Sequence, residues 1–307
     1  MKRFRTSIIR ALASACLAAG ALSLASCGGG NDGSPEPDTS PVKKFVIALK
    51  ANKNPEKMLE EQENLQKYLG EKLGREVEVI IPSSSSVIVE GFKGGTIDLG
   101  YLSSTDAARN LDEEAGSVLL IHLKGGKPNY DSVWLTSADG NYSSIDDLAG
   151  HPVAFASPTS TSGRLIPTWD LMKRGHVGPE KALTDFFSEV KFGTGYVSAV
   201  QLVLDGHVEA AAVSDYVFLG DKYLDDEQKA KLKILQKQGP VPSHTICHRK
   251  TLSEADLDLL RKTLLAMNED NPDLRDSVFN GELVEVDAEE HLKVTREALE
   301  AQKTIKE

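Results

Sequence analysis

The chain has 307 residues, with 35 basic and 46 acidic side chains and a formal net charge of −11. That acidity argues against nucleic acid as a partner. Three cysteines are too few for a disulfide-stapled scaffold, so stability must come from core burial, for which a body of roughly 260 residues is ample.

Lys2, Arg3, Arg5 and Arg10 accompany an apolar stretch from Ile8 to Leu24. This is the pattern of a secretory signal, residues 1–26. Its end, Leu24-Ala25-Ser26-Cys27, resembles the bacterial lipoprotein box. That resemblance implies cleavage before Cys27 and a lipid on Cys27, with the protein held at the membrane by several acyl chains. The expected location is the cell envelope: the periplasmic side of a membrane, or the outer face of a Gram-positive cell. The signal holds four of the 35 basic and none of the 46 acidic residues, which leaves the mature chain at −15. Residues 28–41, GGGNDGSPEPDTSP, lack large apolar side chains and read with Cys27 as a flexible tether over 27–42. Cys16 leaves with the signal, so Cys247 is the one thiol of the body. It sits in a strand-like run, His244-Thr245-Ile246-Cys247, and is expected to be buried. No later segment is long and apolar enough to span a membrane.

The body begins near Lys43. Lys44–Leu49 is a predicted strand and Glu56–Leu73 a helix, its Leu65, Tyr68, Leu69 and Leu73 on one face, ended by Gly74. Strands are predicted at Val77–Ile81, Ile97–Leu102 and Ser117–Leu123. Ser83-Ser84-Ser85-Ser86 leads into a short helix to Lys93, and Ser103-Ser104-Thr105 caps another through Leu111. After Gly125-Gly126-Lys127-Pro128 the pattern restarts. Strands follow at Ser132–Thr136, Val153–Ala156, Val190–Gly193, Ala210–Val213, Leu232–Leu235 and Thr245–His248. Helices fall at Ser144–Leu148, from the turn after Ala156 to Arg174, Ser198–Asp205, Ser253–Asn268 and Ala288–Lys303. Alternating strands and helices predict an α/β protein with mostly parallel sheets, in two successive lobes.

Ser160-Thr161-Ser162-Gly163 lies between an apolar strand and a helix. The first N–H groups of a helix lack intrahelical partners and carry partial positive charge. Three hydroxyls beside them, with Gly163 for close approach, make a seat for a tetrahedral oxyanion. The same residues also suit a plain N-cap. In α/β folds ligands sit off the carboxyl ends of strands. Ser83–Ser86, Ser103–Thr105 and Ser160–Ser162 all fall there, so two lobes could close on a ligand.

The body resembles the phosphonate, phosphite and phosphate substrate-binding proteins of ABC importers. The resemblance rests on Tyr68-Leu69-Gly70 to Val77, Glu90–Gly100 (EGFKGGTIDLG), Asp147–Phe155, the STSG signature with Leu165 and Pro167, Ser198–Val213 (SAVQLVLDGHVEAAAV) and Gly239–Arg249, all in family order. It implies a type II periplasmic-binding fold with lobes 43–130 plus 245–307 and 131–244, and crossings near Tyr130–Thr136 and Pro240–His248. It also implies Ser160, Thr161 and Ser162 as oxyanion donors, a small anion as ligand and an ABC permease as partner, with no cofactor, and the chain is expected to be monomeric. Three positions depart from the family pattern. Ser85 stands where a Tyr is frequent, Ser103-Ser104 replaces a Gly-Pro turn followed by a Tyr, where Ala107 stands, and Tyr196 replaces a His. Lost aromatics in the first lobe favour phosphate or phosphite over a bulky phosphonate.

Asp106 and Asp215 are the carboxylates nearest the cleft turns, and Asp215 is the preferred acceptor for a protonated P–OH. Arg164 is expected to face solvent. His244 and His248 are four apart on a strand, too far to share a metal. No nucleophile elbow, P-loop or metal motif appears, so an enzyme is disfavoured. Delivery to a permease and delivery to a sensor kinase remain equal readings of the sequence, and capture of a different small anion also stays open.

Overall fold

The computed structural model describes residues 41–50 and 55–306. The signal, Cys27 and most of the tether lie outside these residues. In chain order the first lobe contains β1 (Lys44–Ala48), α1 (Pro55–Leu73), β2 (Glu76–Ile80), α2 (Ser85–Lys93), β3 (Leu99–Leu102), α3 (Ser104–Asp112) and β4 (Gly116–His122). The second has β5 (Asn129–Ser137), a 3₁₀ turn (Ile145–Leu148), β6 (Pro152–Phe155), a wide turn (Thr161–Leu165), α4 (Ile166–Lys173), α5 (Leu183–Phe186) and β7 (Glu189–Phe192). It continues through α6 (Tyr196–Leu204), β8 (Ala210–Ser214), α7 (Asp215–Leu219), α8 (Asp226–Ala230) and β9 (Leu232–Pro242). The chain then returns with β10 (Thr245–Arg249), α9 (Glu254–Asp270), α10 (Pro272–Phe279), β11 (Leu283–Val284) and α11 (Ala288–Gln302).

The two sheets run β11-β4-β10-β3-β1-β2 and β7-β6-β8-β5-β9. The α/β class and the two lobes hold, but the sheets are mixed rather than mostly parallel. Among the described residues four strand pairings are parallel and five antiparallel. The reason lies in the two crossings. A strand that enters a lobe from the other side has no βαβ connection to force it parallel. Thus β5 and β9 pair antiparallel in the second sheet, and β10 runs antiparallel to both β3 and β4 in the first.

β9 is the largest departure from the expected elements. Its eleven residues extend far past Leu235, through Pro240 and Pro242. As an edge strand it can hold prolines that a central strand could not. α10 was not expected either, and Asn271 caps it by accepting from Leu274 N–H at 3.2 Å, with Pro272 at the first helical position.

Each lobe has its own core. Phe45, Leu65, Leu69, Leu99, Leu120 and Met267 fill the first, and Trp134, Phe155, Phe187, Leu148 and Leu171 anchor the second. Trp134 is fully buried, its ring 5.4 Å from Phe155 and 5.7 Å from Phe187. The crossings lie side by side, tied by Ser243 N–H to Pro128 O (3.0 Å) and His122 N–H to His244 O (3.4 Å). α11 packs on α3 of one lobe and on α4 and β9 of the other. Among the described residues no helix is long and apolar enough to cross a membrane. Trp134→Ala should cost about 3–5 kcal/mol, the range for a large aromatic removed from a packed core. Urea unfolding of the second lobe checks this, and a loss under about 1 kcal/mol would contradict the packing.

Candidate functional site

The STSG segment forms a wide turn in which Leu165 N–H reaches back five residues to Ser160 O at 3.0 Å. Such turns interrupt regular helices and frequently mark functional sites. Here the geometry sends three successive side chains in three directions. Ser160 Oγ accepts from Gly163 N–H at 3.0 Å and so caps the turn. Thr161 crosses to the first lobe, where its Oγ1 accepts from Thr105 N–H (3.1 Å) and Ser104 Oγ (3.2 Å). Thr105 Oγ1 stands 2.8 Å away and can take the Thr161 proton. Ser162 turns into its own lobe and meets Ser214 Oγ at 2.7 Å and Tyr196 OH at 2.9 Å.

Packing alone requires a glycine at 163. A Cβ there would lie 2.3 Å from Ala156 Cβ and 3.1 Å from Ala212 O, so glycine lets the turn sit directly on β6 and β8.

A cavity of about 40 Å³ lies between the lobes. The turn and its neighbour β6 supply Ser157, Ser160 and Thr161. Thr194, Gly195 and Tyr196 come from the start of α6. The first lobe gives Lys50 and Ser103, and the crossings give Tyr130 and His244. Of the residues expected at the site, Ser103, Ser160, Thr161 and Tyr196 therefore line it. Ser104 and Ser162 stand behind, hydrogen-bonded to lining residues. Ser85 does not reach it, and its buried hydroxyl has no partner among the described residues.

Asp215 does not line the cavity either. It opens α7 and lies 3.9 Å from Lys237 Nζ, its carboxyl pushed up mainly by burial. Arg164 is not solvent-facing as expected: it packs over the Phe192 ring at 5.2 Å and donates to Pro158 O. Cys247 is buried as expected, and burial pushes its thiol up to about 12. Among the described residues the lining has one cation and no carboxylate. A larger groove of 580 Å³ between α1 and α10 carries four carboxylates, Glu60, Glu61, Glu71 and Asp273, against two lysines, Lys57 and Lys67, so acidic groups outnumber basic ones there.

Lys50, Tyr130 and His244 were missed from sequence. Lys50 had a usable signal, since it directly follows the first strand at the carboxyl edge where ligands sit. The two aromatic rings come from the crossings, so with Tyr196 the cavity does have aromatic walls. His244 stacks on His122 at 5.9 Å and on Tyr130 at 6.5 Å, and His291 donates from Nε2 to Ser243 O at 3.0 Å.

The phosphonate family of ABC-transporter periplasmic substrate-binding proteins matches residues 47–291. The chain belongs to this family. Its members serve transport as extracytoplasmic binding proteins. Among curated relatives, the phosphate-import protein PhnD of Mycolicibacterium smegmatis is 29% identical over 269 residues, covering 84% of this chain and 81% of that protein. The phosphonates-binding periplasmic protein of Escherichia coli is 24% identical over 192 residues, 61% of this chain and 55% of that one. The fold also matches PhnD1 of Prochlorococcus marinus, solved with methylphosphonate. The TM-score is 0.74 and identity 18%, over 86% of this chain and 99% of that one. A binding component of an ABC phosphonate transporter from Pseudomonas aeruginosa matches with TM-score 0.72 and 17% identity, over 85% and 87%.

His122, His244 and His291 are all held below the usual histidine range, first by burial, and His244 falls to about 3. The unfolded chain takes up protons near pH 6.5, while these folded imidazoles stay neutral. Their share of stability is therefore present above pH 6.5 and is lost as pH falls toward 3. Below that unfolded value, each fully neutral histidine should cost about 1.4 kcal/mol per pH unit. The melting temperature should fall from neutral to mildly acid pH, and His244→Gln should flatten that slope. An unchanged slope would show that His244 protonates freely in the fold.

Proposed function

We propose that the interlobe cavity captures a small phosphorus oxyanion, phosphate or phosphite ahead of a phosphonate, for delivery to an ABC permease. The lining carries this reading. Ser103, Ser157, Ser160, Thr161, Thr194, Tyr130 and Tyr196 surround it with hydroxyls, and no carboxylate opposes an anion among the described residues. At about 40 Å³ the cavity is small, which favours a compact ion over one with an organic arm. The name of the Mycolicibacterium relative, a phosphate importer, points the same way.

The domain reading completes the proposal. Residues 1–26 are a secretory signal, and Cys27 carries the lipid of a tether to residue 42. The lobes are 43–130 with 245–307, and 131–244. The protein acts as a lipid-anchored monomer in the cell envelope.

Thermal shift of the body from Lys43 onward tests the ligand. Phosphate, phosphite, methylphosphonate, aminoethylphosphonate and sulfate are the panel. At 100 times its dissociation constant the true ligand should add about 2.7 kcal/mol. Phosphate or phosphite should raise the melting temperature. A shift with aminoethylphosphonate alone would reject the small-ion reading. Thr161→Ala should weaken binding by about 1.5–3 kcal/mol, the range for a hydrogen bond to a charged group. Calorimetric titration that finds unchanged affinity would remove Thr161 from the site.

A further inference from the structure

Lys50 is the one cation in the cavity lining among the described residues. It lies two residues past the end of β1, and its Nζ donates to Asp106 Oδ2 at 3.0 Å. Asp106 is buried on the first turn of α3 and is fixed twice more. Ser103 Oγ donates to Oδ2 at 2.7 Å, and Asp106 N–H donates back to Ser103 Oγ at 3.2 Å. An ammonium has three donors. One is spent on Asp106, and the other two are available on a cavity wall that also carries Ser103, Ser160 and Thr161.

We infer that Lys50 is the charged ligand contact of the first lobe, positioned and partly neutralised by Asp106, and that it makes the cavity favour the dianion of a phosphoryl ligand over the monoanion. This rests on the oxyanion reading above and names its first-lobe contact.

Three observations support it. Apart from Tyr130 at the crossing, the lining from this lobe offers charge and a hydroxyl instead of a surface for an organic arm. The Lys50 charge already reaches the far wall, where it adds to the burial that keeps His244 neutral. Finally, the half-buried Lys50 ammonium gains a counter-charge from the buried Asp106, which supplies it from behind rather than from within the lining. The pair is close to neutral overall, yet the ammonium faces the ligand and the carboxylate does not. A ligand oxygen therefore meets the positive end first. The second phosphoryl ionisation falls at pH ~6–7, and Coulomb attraction doubles when the ligand goes from one charge to two.

Calorimetric titration of inorganic phosphate tests this at about pH 5.5 and about pH 8, on either side of that ionisation. Lys50→Met should weaken binding by about 10–100-fold at the higher pH and by clearly less at the lower. Asp106→Asn keeps an acceptor for Lys50 and removes the negative charge, so phosphate should bind more tightly. If Lys50→Met leaves too unstable a protein, the double variant Lys50→Met/Asp106→Asn has no unpaired buried charge and gives the same comparison. An equal loss at both pH values, no loss at all, or weaker binding by Asp106→Asn would overturn the assignment. Wild-type binding with an unaffected Lys50→Met variant would reject Lys50 and leave the oxyanion reading standing. A wild-type protein that takes none of the panel ligands would reject both.

Discussion

The position of one hydroxyl governs the cleft. Thr161 Oγ1 sits at the first turn of α3 and accepts from Thr105 N–H. That N–H is one of the donors a helix start leaves without an internal partner. The bond therefore joins the lobes where each has unsatisfied polarity. It also brings a hydroxyl from the second lobe into the positive end of a helix dipole in the first. On the proposed function, a ligand anion in the adjoining cavity would share that field with Thr161. The contact between the lobes and the proposed binding would then depend on the same few donors, so a change to one would affect the other.

The wide turn makes this possible. An ordinary helical start would put Ser160, Thr161 and Ser162 on a steady rotation. Reaching back five residues instead splays them apart, one for the cap, one across the cleft and one toward Tyr196 and Ser214. Gly163 keeps this turn pressed on β6 and β8. Behind the cavity the crossings carry stacked, neutral imidazoles instead of charges. A hinge of that kind holds polar groups without a buried net charge, which would be costly there.

The sequence revealed strand and helix order well, because Leu65, Leu69 and Leu73 or Val153 to Phe155 state their period locally. It did not reveal strand direction, since β5, β9 and β10 take theirs from the crossings and not from any residue pattern. The second-lobe half of the site was legible for a similar reason: STSG is one contiguous turn. The rest is assembled from distant chain positions. Lys50 looks like any strand-flanking lysine until α3 brings Asp106 to it, 56 residues away. Asp215 shows the converse case. Its place after β8 suits a ligand contact, but it faces Lys237 and the edge of β9.

How an acidic protein can hold an anion is a question of range. The formal charge of −11 is spread over the surface and includes pairs such as Lys72 with Asp270 and Lys93 with Glu113. In physiological salt such charges are largely screened beyond about 8 Å. Within the cleft, a unit charge at about 4 Å is worth roughly 4 kcal/mol at an effective dielectric of 20. Local donors therefore set how tightly an anion is held once inside, whereas the surface field acts on its approach. The acidity should slow encounter without loosening the closed complex, since the groups that hold the anion lie inside the screening distance and the repelling ones mostly outside it. On the proposed site, selectivity belongs to the dissociation step, which the lining would govern: its hydroxyls, one ammonium, and a carboxylate kept behind it.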